Sequence, residues 1–205
     1  MSIRSTVERQ FGRPHGLLGK MAGAVMAFRP SNRVRNRWAV DLLNIQPKDK
    51  VLEIGCGPGV ALASIVPQLH NGHVEAIDHS ATMLAQTEAR HADAISDGVM
   101  KLHLGGFERL PHLSRSFDKV LSVNVIQFLD DHAAAFSAIL AALAPGGLAA
   151  TAYQPRHAGA TSADALQMAE AMEVQLADVG FKAIRTKWLA LRPMPVICVL
   201  GAKRR

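Results

Sequence analysis

A short apolar run that ends in three alternating glycines, residues 51–59 (VLEIGCGPG), constrains this chain more than any other segment. Val51, Leu52 and Ile54 have the length and character of a buried strand, and the glycines then break it into a tight turn. Gly55, Gly57 and Gly59 tolerate left-handed torsions and leave no Cβ between main chain and ligand. Helix-forming residues follow over 60–69, and a second apolar run, residues 74–77, closes with Asp78, nineteen residues beyond Gly59. That order sets Asp78 at the carboxyl end of a neighbouring parallel strand, where open α/β sheets bind their ligands. A carboxylate there accepts from two ribose hydroxyls, each charge-assisted bond contributing about 1.5–3 kcal/mol.

Glycines after a first strand occur in dinucleotide enzymes, nucleotide-sugar enzymes and methyltransferases alike. The spacing separates them. A dinucleotide fingerprint has its third glycine three residues after the second, at a helix start that faces a pyrophosphate, whereas Gly57 and Gly59 are two apart with Pro58 between. Glu53 sits inside the strand, where an unpaired acid costs several kcal/mol, so it either supports the glycine loop or reaches a cationic part of the ligand.

The segment EIGCGPG with its downstream acid resembles motif I and its successor in class I S-adenosylmethionine-dependent methyltransferases. Residues 116–131 (SFDKVLSVNVIQFLDD) are similar to the family's fourth strand and following loop. Residues 140–153 (LAALAPGGLAATAY) resemble its helix, Pro-Gly-Gly turn and fifth strand, and residues 105–111 (GGFERLP) its adenine-contacting segment. Four blocks in the family's order are far more specific than any one of them. The resemblance implies S-adenosyl-L-methionine as cofactor and S-adenosyl-L-homocysteine as product. Its contacts would come from Glu53, Gly55, Cys56, Gly57, Gly59, Asp78, His79, Met83, Gly106, Phe107 and Asn124. One departure stands out: the family's usual Gly-Asp-Ala is Gly105-Gly106-Phe107 here, so the adenine-binding acid is missing. Phe107 either stacks on the purine or is a core aromatic, and Glu108 is the nearest acid that could substitute.

Alternating strand and helix patterns imply an α/β fold of Rossmann-like, doubly wound type. Helices are expected over 81–95, through Phe136, Ile139, Leu140 and Leu143, and along Leu166, Ala169, Met172, Leu176 and Val179 with Gly180 closing the last. Strands are expected near 100–103, 118–123, 181–188 and 195–201. By the resemblance the sheet has seven mostly parallel strands, the last inserted antiparallel beside the fifth. Residues 1–48 read as a basic, helical N-terminal extension and residues 49–205 as the Rossmann-like methyltransferase domain.

The 205 residues are 49% hydrophobic and 20% charged, enough for one sizeable core. Cys56 and Cys198 are placed for burial rather than bridging, which fits a reducing compartment and a cytoplasmic location. Cys56 has no activating base nearby and reads as structural. The nine histidines are scattered, and His70 and His73 flank a turn, so no metal is assigned. Residues 1–40 hold eight Arg or Lys against one acid, Glu8, a net +7 against +6 for the whole chain. Such an arm is a solvated face by default, and it also attracts nucleic acid, an anionic membrane or an anionic substrate. It lacks interleaved aromatics and a nucleic-acid motif, which disfavours RNA without excluding it. The apolar stretch 16–28 is shorter than the roughly 20 residues that span a bilayer. Its composition suits a lid over cofactor and an apolar or anionic small-molecule acceptor.

Methyl transfer from a sulfonium needs alignment more than acid–base chemistry, and a base helps only for a hydroxyl or carbon acid. Candidate catalytic or acceptor-side residues are Asn124, Gln127, Tyr153, His157 and, in the arm, His15. The principal reading is therefore methyl transfer to a small molecule. The alternatives are an RNA methyltransferase that uses the basic arm, a non-catalytic S-adenosylmethionine-binding module, and a dehydrogenase. Neither acceptor nor oligomeric state follows from sequence. Under the lid reading, deleting residues 1–30 abolishes turnover while S-adenosylhomocysteine affinity survives at least in part; unchanged turnover in a radiolabelled-methyl assay would sink it.

Overall fold

The computed structural model describes residues 29–113 and 116–205. Strands β1 (Lys50–Ile54), β2 (His73–Asp78), β3 (Met100–Leu104), β4 (Phe117–Val123), β5 (Leu143–Tyr153), β6 (Lys182–Leu189) and β7 (Val196–Ala202) form one sheet. The spatial order is β3-β2-β1-β4-β5-β7-β6. The first five are parallel, and β7 alone runs against its neighbours, inserted between β5 and β6. The seven-stranded, doubly wound sheet with an antiparallel last strand matches the sequence expectation.

Because successive side chains of a strand face opposite sides, interior strands here are apolar on both faces. In β7, Ile197 and Val199 enter one core cluster while Val196, Cys198 and Leu200 enter the other. Helices α5 (His132–Ala142) and α6 (Ser162–Val179) cover the first face through Phe136, Ile139, Met172 and Leu176. The second face takes α1 (Pro30–Asp41), α2 (Leu62–Ile65), α3 (Ala81–Arg90) and α4 (Ala92–Ser96). Ala39 and Val40 of α1, with Leu43 beyond it, are fully buried beside Val51, so the end of the N-terminal extension is part of the domain's own core.

Several expected elements change form. The helix after the glycine loop lasts only one turn as α2 and continues as a 3₁₀ turn, Val66–Gln68, around Pro67, whose ring removes a helical donor. The helix expected over 81–95 breaks at His91 (φ −122°, ψ 28°), giving α3 and α4. The Pro-Gly-Gly segment is more than a turn: Leu143 already pairs with Phe117, and the register shifts before Leu148 meets Lys119. Helix ends follow the expected chemistry. Asp131 Oδ1 accepts from Ala134 N at 2.8 Å, Thr161 and Asp164 form a capping box, and Gly180 closes α6 at φ +111°.

Phe136, 1% exposed, anchors α5 to the sheet. Phe136→Ala should destabilise the domain by about 3–5 kcal/mol, read from urea unfolding midpoints at unchanged slope.

Candidate active site

Strand order reverses between β1 and β4, the switch point at whose carboxyl edge open α/β sheets bind their ligands. The glycine loop follows β1 at that edge. Gly55, Gly57 and Gly59 all have left-handed torsions, at φ +69°, +53° and +75°, but they serve different ends. A Cβ on Gly55 would lie 2.3 Å from Val125 Cγ2, and one on Gly59 would lie 2.9 Å from His91 Nε2, so these glycines allow the loop to pack on protein. A Cβ on Gly57 would meet nothing within 4 Å. Gly57 is thus the loop residue that faces open space, as close approach of a ligand requires.

Asp78, 6% exposed, closes the other side. Its Oδ2 accepts from Gly57 N and its Oδ1 from Ser80 N, each at 2.8 Å. The acid therefore holds the loop to the end of β2. With two backbone donors engaged, lone pairs remain on both oxygens for ligand hydroxyls. Ser80 caps α3 by accepting from Met83 N at 3.4 Å; Met83 is buried and His79 is exposed.

Glu53 is 2% exposed on the β1 face shared with Val51, and its Oε2 is buried with no hydrogen-bond partner. Burial, and then the nearby Asp78 carboxylate, push its pKa up to about 8, so Glu53 is protonated at neutral pH. A cationic ligand group would both satisfy the orphan oxygen and restore its charge. Cys56 has a thiol pushed well above its ordinary range, first by burial and then by Glu53 and Asp78, which makes it inert.

How the loop is held from outside has no signature in the linear chain. Three residues on one face of α3 and its end bond three consecutive loop carbonyls. Thr87 Oγ1 donates to Gly57 O at 2.7 Å, the Arg90 guanidinium to Pro58 O, and His91 Nε2 to Gly59 O at 2.8 Å. Burial is the largest effect on His91 and lowers its pKa, so the neutral ring donates through Nε2–H. This bond also accounts for the break after α3. The residues stand at i, i+3 and i+4, a spacing visible in sequence, but their targets are main-chain carbonyls, which carry no side-chain signature.

The adenine segment also differs from expectation. Phe107 is partly buried against the core cluster of α5 and α6, and Gly106 N donates to Glu108 Oε1 at 2.7 Å. That bond and its neighbours hold Glu108 below the usual carboxylate range. Glu108 is thereby turned back onto its own loop.

The acceptor-side candidates are not assembled into one base. Asn124, left-handed at φ +56°, accepts through Oδ1 from Gln154 N at 2.9 Å and ties the end of β4 to that of β5. Gln127 is exposed in a 3₁₀ turn, Ile126–Phe128. Tyr153 is 6% exposed within the core, its phenol raised by burial and then by Asp164. His157 is exposed, with Nε2 3.8 Å from Asp164 Oδ2 at the start of α6. His15 and the lid expected over 16–28 lie outside the described residues. No group of three or more potential metal ligands occurs among the described residues.

An open α/β sheet with β7 reversed, a glycine loop at the switch point and an acid at the end of β2 defines a nucleoside-binding class of protein. Comparison with known proteins narrows it. A family model described as a methyltransferase domain matches residues 51–147. The chain is 30% identical over 183 residues to the uncharacterized methyltransferase YdaC of Bacillus subtilis, covering 89% of this chain and 98% of that one. It is 28% identical over 140 residues to trans-aconitate 2-methyltransferase of Yersinia pseudotuberculosis, covering 63% and 51% respectively. Among solved structures, phosphoethanolamine N-methyltransferase 2 of Haemonchus contortus, in complex with S-adenosylhomocysteine, shares the fold at TM-score 0.66 and 16% identity, covering 84% of this chain and 53% of that one. The chain belongs to the class I S-adenosylmethionine-dependent methyltransferases.

Glu53 also sets a pH dependence. Its folded pKa of about 8 lies above the ordinary 4.5, so the folded state holds a proton that the unfolded chain releases. Stability should therefore be highest below about 4.5, as far as this group is concerned, and fall by several kcal/mol as the pH rises towards 8. Denaturant unfolding at pH 5 and pH 8 should show a markedly smaller difference for Glu53→Gln than for the parent.

Proposed function

We propose that this enzyme transfers a methyl group from S-adenosylmethionine to a small-molecule acceptor that is already nucleophilic when it binds. The open space over Gly57, bounded by Asp78 and by the unpartnered Oε2 of Glu53, carries the reading. When bound, the cofactor supplies a methyl group on a sulfonium whose sulfur is the leaving group, so transfer is an in-line displacement. Gly57 offers the approach, Asp78 accepts from the ribose hydroxyls, and buried Glu53 faces the cationic portion. Gly55, Cys56 and Gly59 shape the loop, His79 and Met83 flank the ribose side, and Phe107 with Gly106 borders the adenine. Thr87, Arg90 and His91 keep the loop in place.

Alignment alone contributes about 7–11 kcal/mol to such a displacement. The acceptor-side residues support that division of labour. Asn124 is committed to the backbone of Gln154, the Tyr153 phenol is raised away from neutral pH, and Gln127 offers an amide rather than a base. A small-molecule acceptor agrees with the likeness to trans-aconitate 2-methyltransferase.

Calorimetric titration should give tight one-to-one binding of S-adenosylhomocysteine and no binding of NAD. Asp78→Ala should weaken S-adenosylhomocysteine by tenfold or more, at least about 1.4 kcal/mol; a smaller loss would remove the ribose contact from the reading.

A further inference from the structure

Beyond the glycine loop, two arginines meet on a single amide oxygen. Arg35 of α1, 5% exposed, donates from NH1 to Gln154 Oε1 at 2.7 Å, and Arg156 donates from NH2 to the same oxygen at 2.9 Å. Gln154 is itself 1% exposed and fixed on every side, its Nε2 donating to Met194 O at 2.7 Å and its N to Asn124 Oδ1 at 2.9 Å. Arg35 also bonds Asn32 Oδ1, yet its Nε is buried with no partner.

Such an arrangement is costly in an isolated domain. A buried guanidinium such as that of Arg35 is normally paired with a carboxylate, and Arg156 reaches the same oxygen from an exposed position. Among the described residues neither arginine forms an ion pair. Asp164, the acid of that region, is engaged by Thr161 N and Oγ1 at 2.6 and 2.8 Å, with His157 at 3.8 Å. Burial and the proximity of Arg156 lower Arg35 to about 9, and burial with Arg29 lowers Arg156. Two forked cations that share one neutral oxygen retain N–H donors whose geometry matches the oxygens of a carboxylate or phosphate.

Its place in the fold selects the source of that anion. Along the carboxyl edge of the sheet the ribose acid ends β2, the glycine loop follows β1, and Asn124 follows β4. Gln154 and Arg156 come next, beyond the end of β5, with α1 packed against β4 and β5. β4 intervenes, so the end of β5 that carries Gln154 lies roughly 10 Å, two strand spacings, from the end of β1. A cofactor seated over β2 and β1 leaves this end to the second substrate.

We propose that Arg35 and Arg156, set on Gln154 beyond β5, bind a carboxylate or phosphate group of the methyl acceptor. The inference rests on the methyltransferase reading and narrows the substrate class to anionic small molecules. Arg35 and Arg156 act as specificity residues, holding the acceptor by its charged group.

The test uses the full chain saturated with S-adenosylhomocysteine, titrated calorimetrically with malonate and, separately, with inorganic phosphate against sodium chloride at equal ionic strength. At least one of the two should bind saturably, one per chain. Arg156→Gln, at an exposed position, should weaken that binding tenfold or more while S-adenosylhomocysteine affinity stays within threefold. Arg35→Lys, whose melting curve reports whether it folds, should act in the same direction. Absence of saturable binding, or anion binding indifferent to Arg156→Gln, would overturn the proposal. Anions that compete with S-adenosylhomocysteine would also overturn it, because the arginines would then serve the cofactor's own carboxylate. Failure of S-adenosylhomocysteine itself to bind would remove the methyltransferase reading and this inference together.

Discussion

The Asp78 carboxylate, shared between the N–H groups of Gly57 and Ser80, is the contact on which the site's geometry depends. One oxygen fixes the glycine loop after β1 and the other fixes the turn that starts α3. Both loops leave the sheet at adjacent strand ends, so one side chain sets their separation. A loop of alternating glycines has much conformational entropy to lose, and an ionised acceptor for a buried backbone donor is a strong means of ordering it.

The loop is then held from its other side by α3. Thr87, Arg90 and His91 satisfy the carbonyls of Gly57, Pro58 and Gly59, while Asp78 takes the Gly57 N–H. Donors and acceptors of the loop are therefore met by protein groups that do not occupy the space over Gly57. Backbone polar groups are satisfied and the approach to the ligand stays free. The same end of the sheet carries the unpartnered Oε2 of protonated Glu53 beside the loop and, beyond β5, the arginine pair with the unpartnered Nε of Arg35. Buried polar groups left without partners are destabilising, so their persistence at the carboxyl edge of the sheet agrees with ligands that complete them.

Much of this was readable in the linear chain. The apolar runs fixed β1 and β2, the glycine spacing separated the loop from a dinucleotide fingerprint, and Asp78 stood out as the acid ending β2. Gly180 closes α6 in the left-handed conformation expected of it. The helix break at His91 was not readable, because its cause is a hydrogen bond to Gly59 O, thirty-two residues away. Tyr153, a candidate for the acceptor side, is packed in the core, since β5 carries it onto the face covered by α6.

Local order, periodicity and motif spacing determined the strands, the turn and the cofactor class, since those depend on neighbours in sequence. Pairings between side chains and distant main-chain atoms were decided by the tertiary structure. Arg35 and Arg156 are 121 positions apart in the chain, and nothing in either segment announces the other. Only the packing of α1 across β4 and β5 brings both onto Gln154. A sequence records which residues carry charge, whereas burial and the shortage of counter-charges arise only when the sheet has assembled.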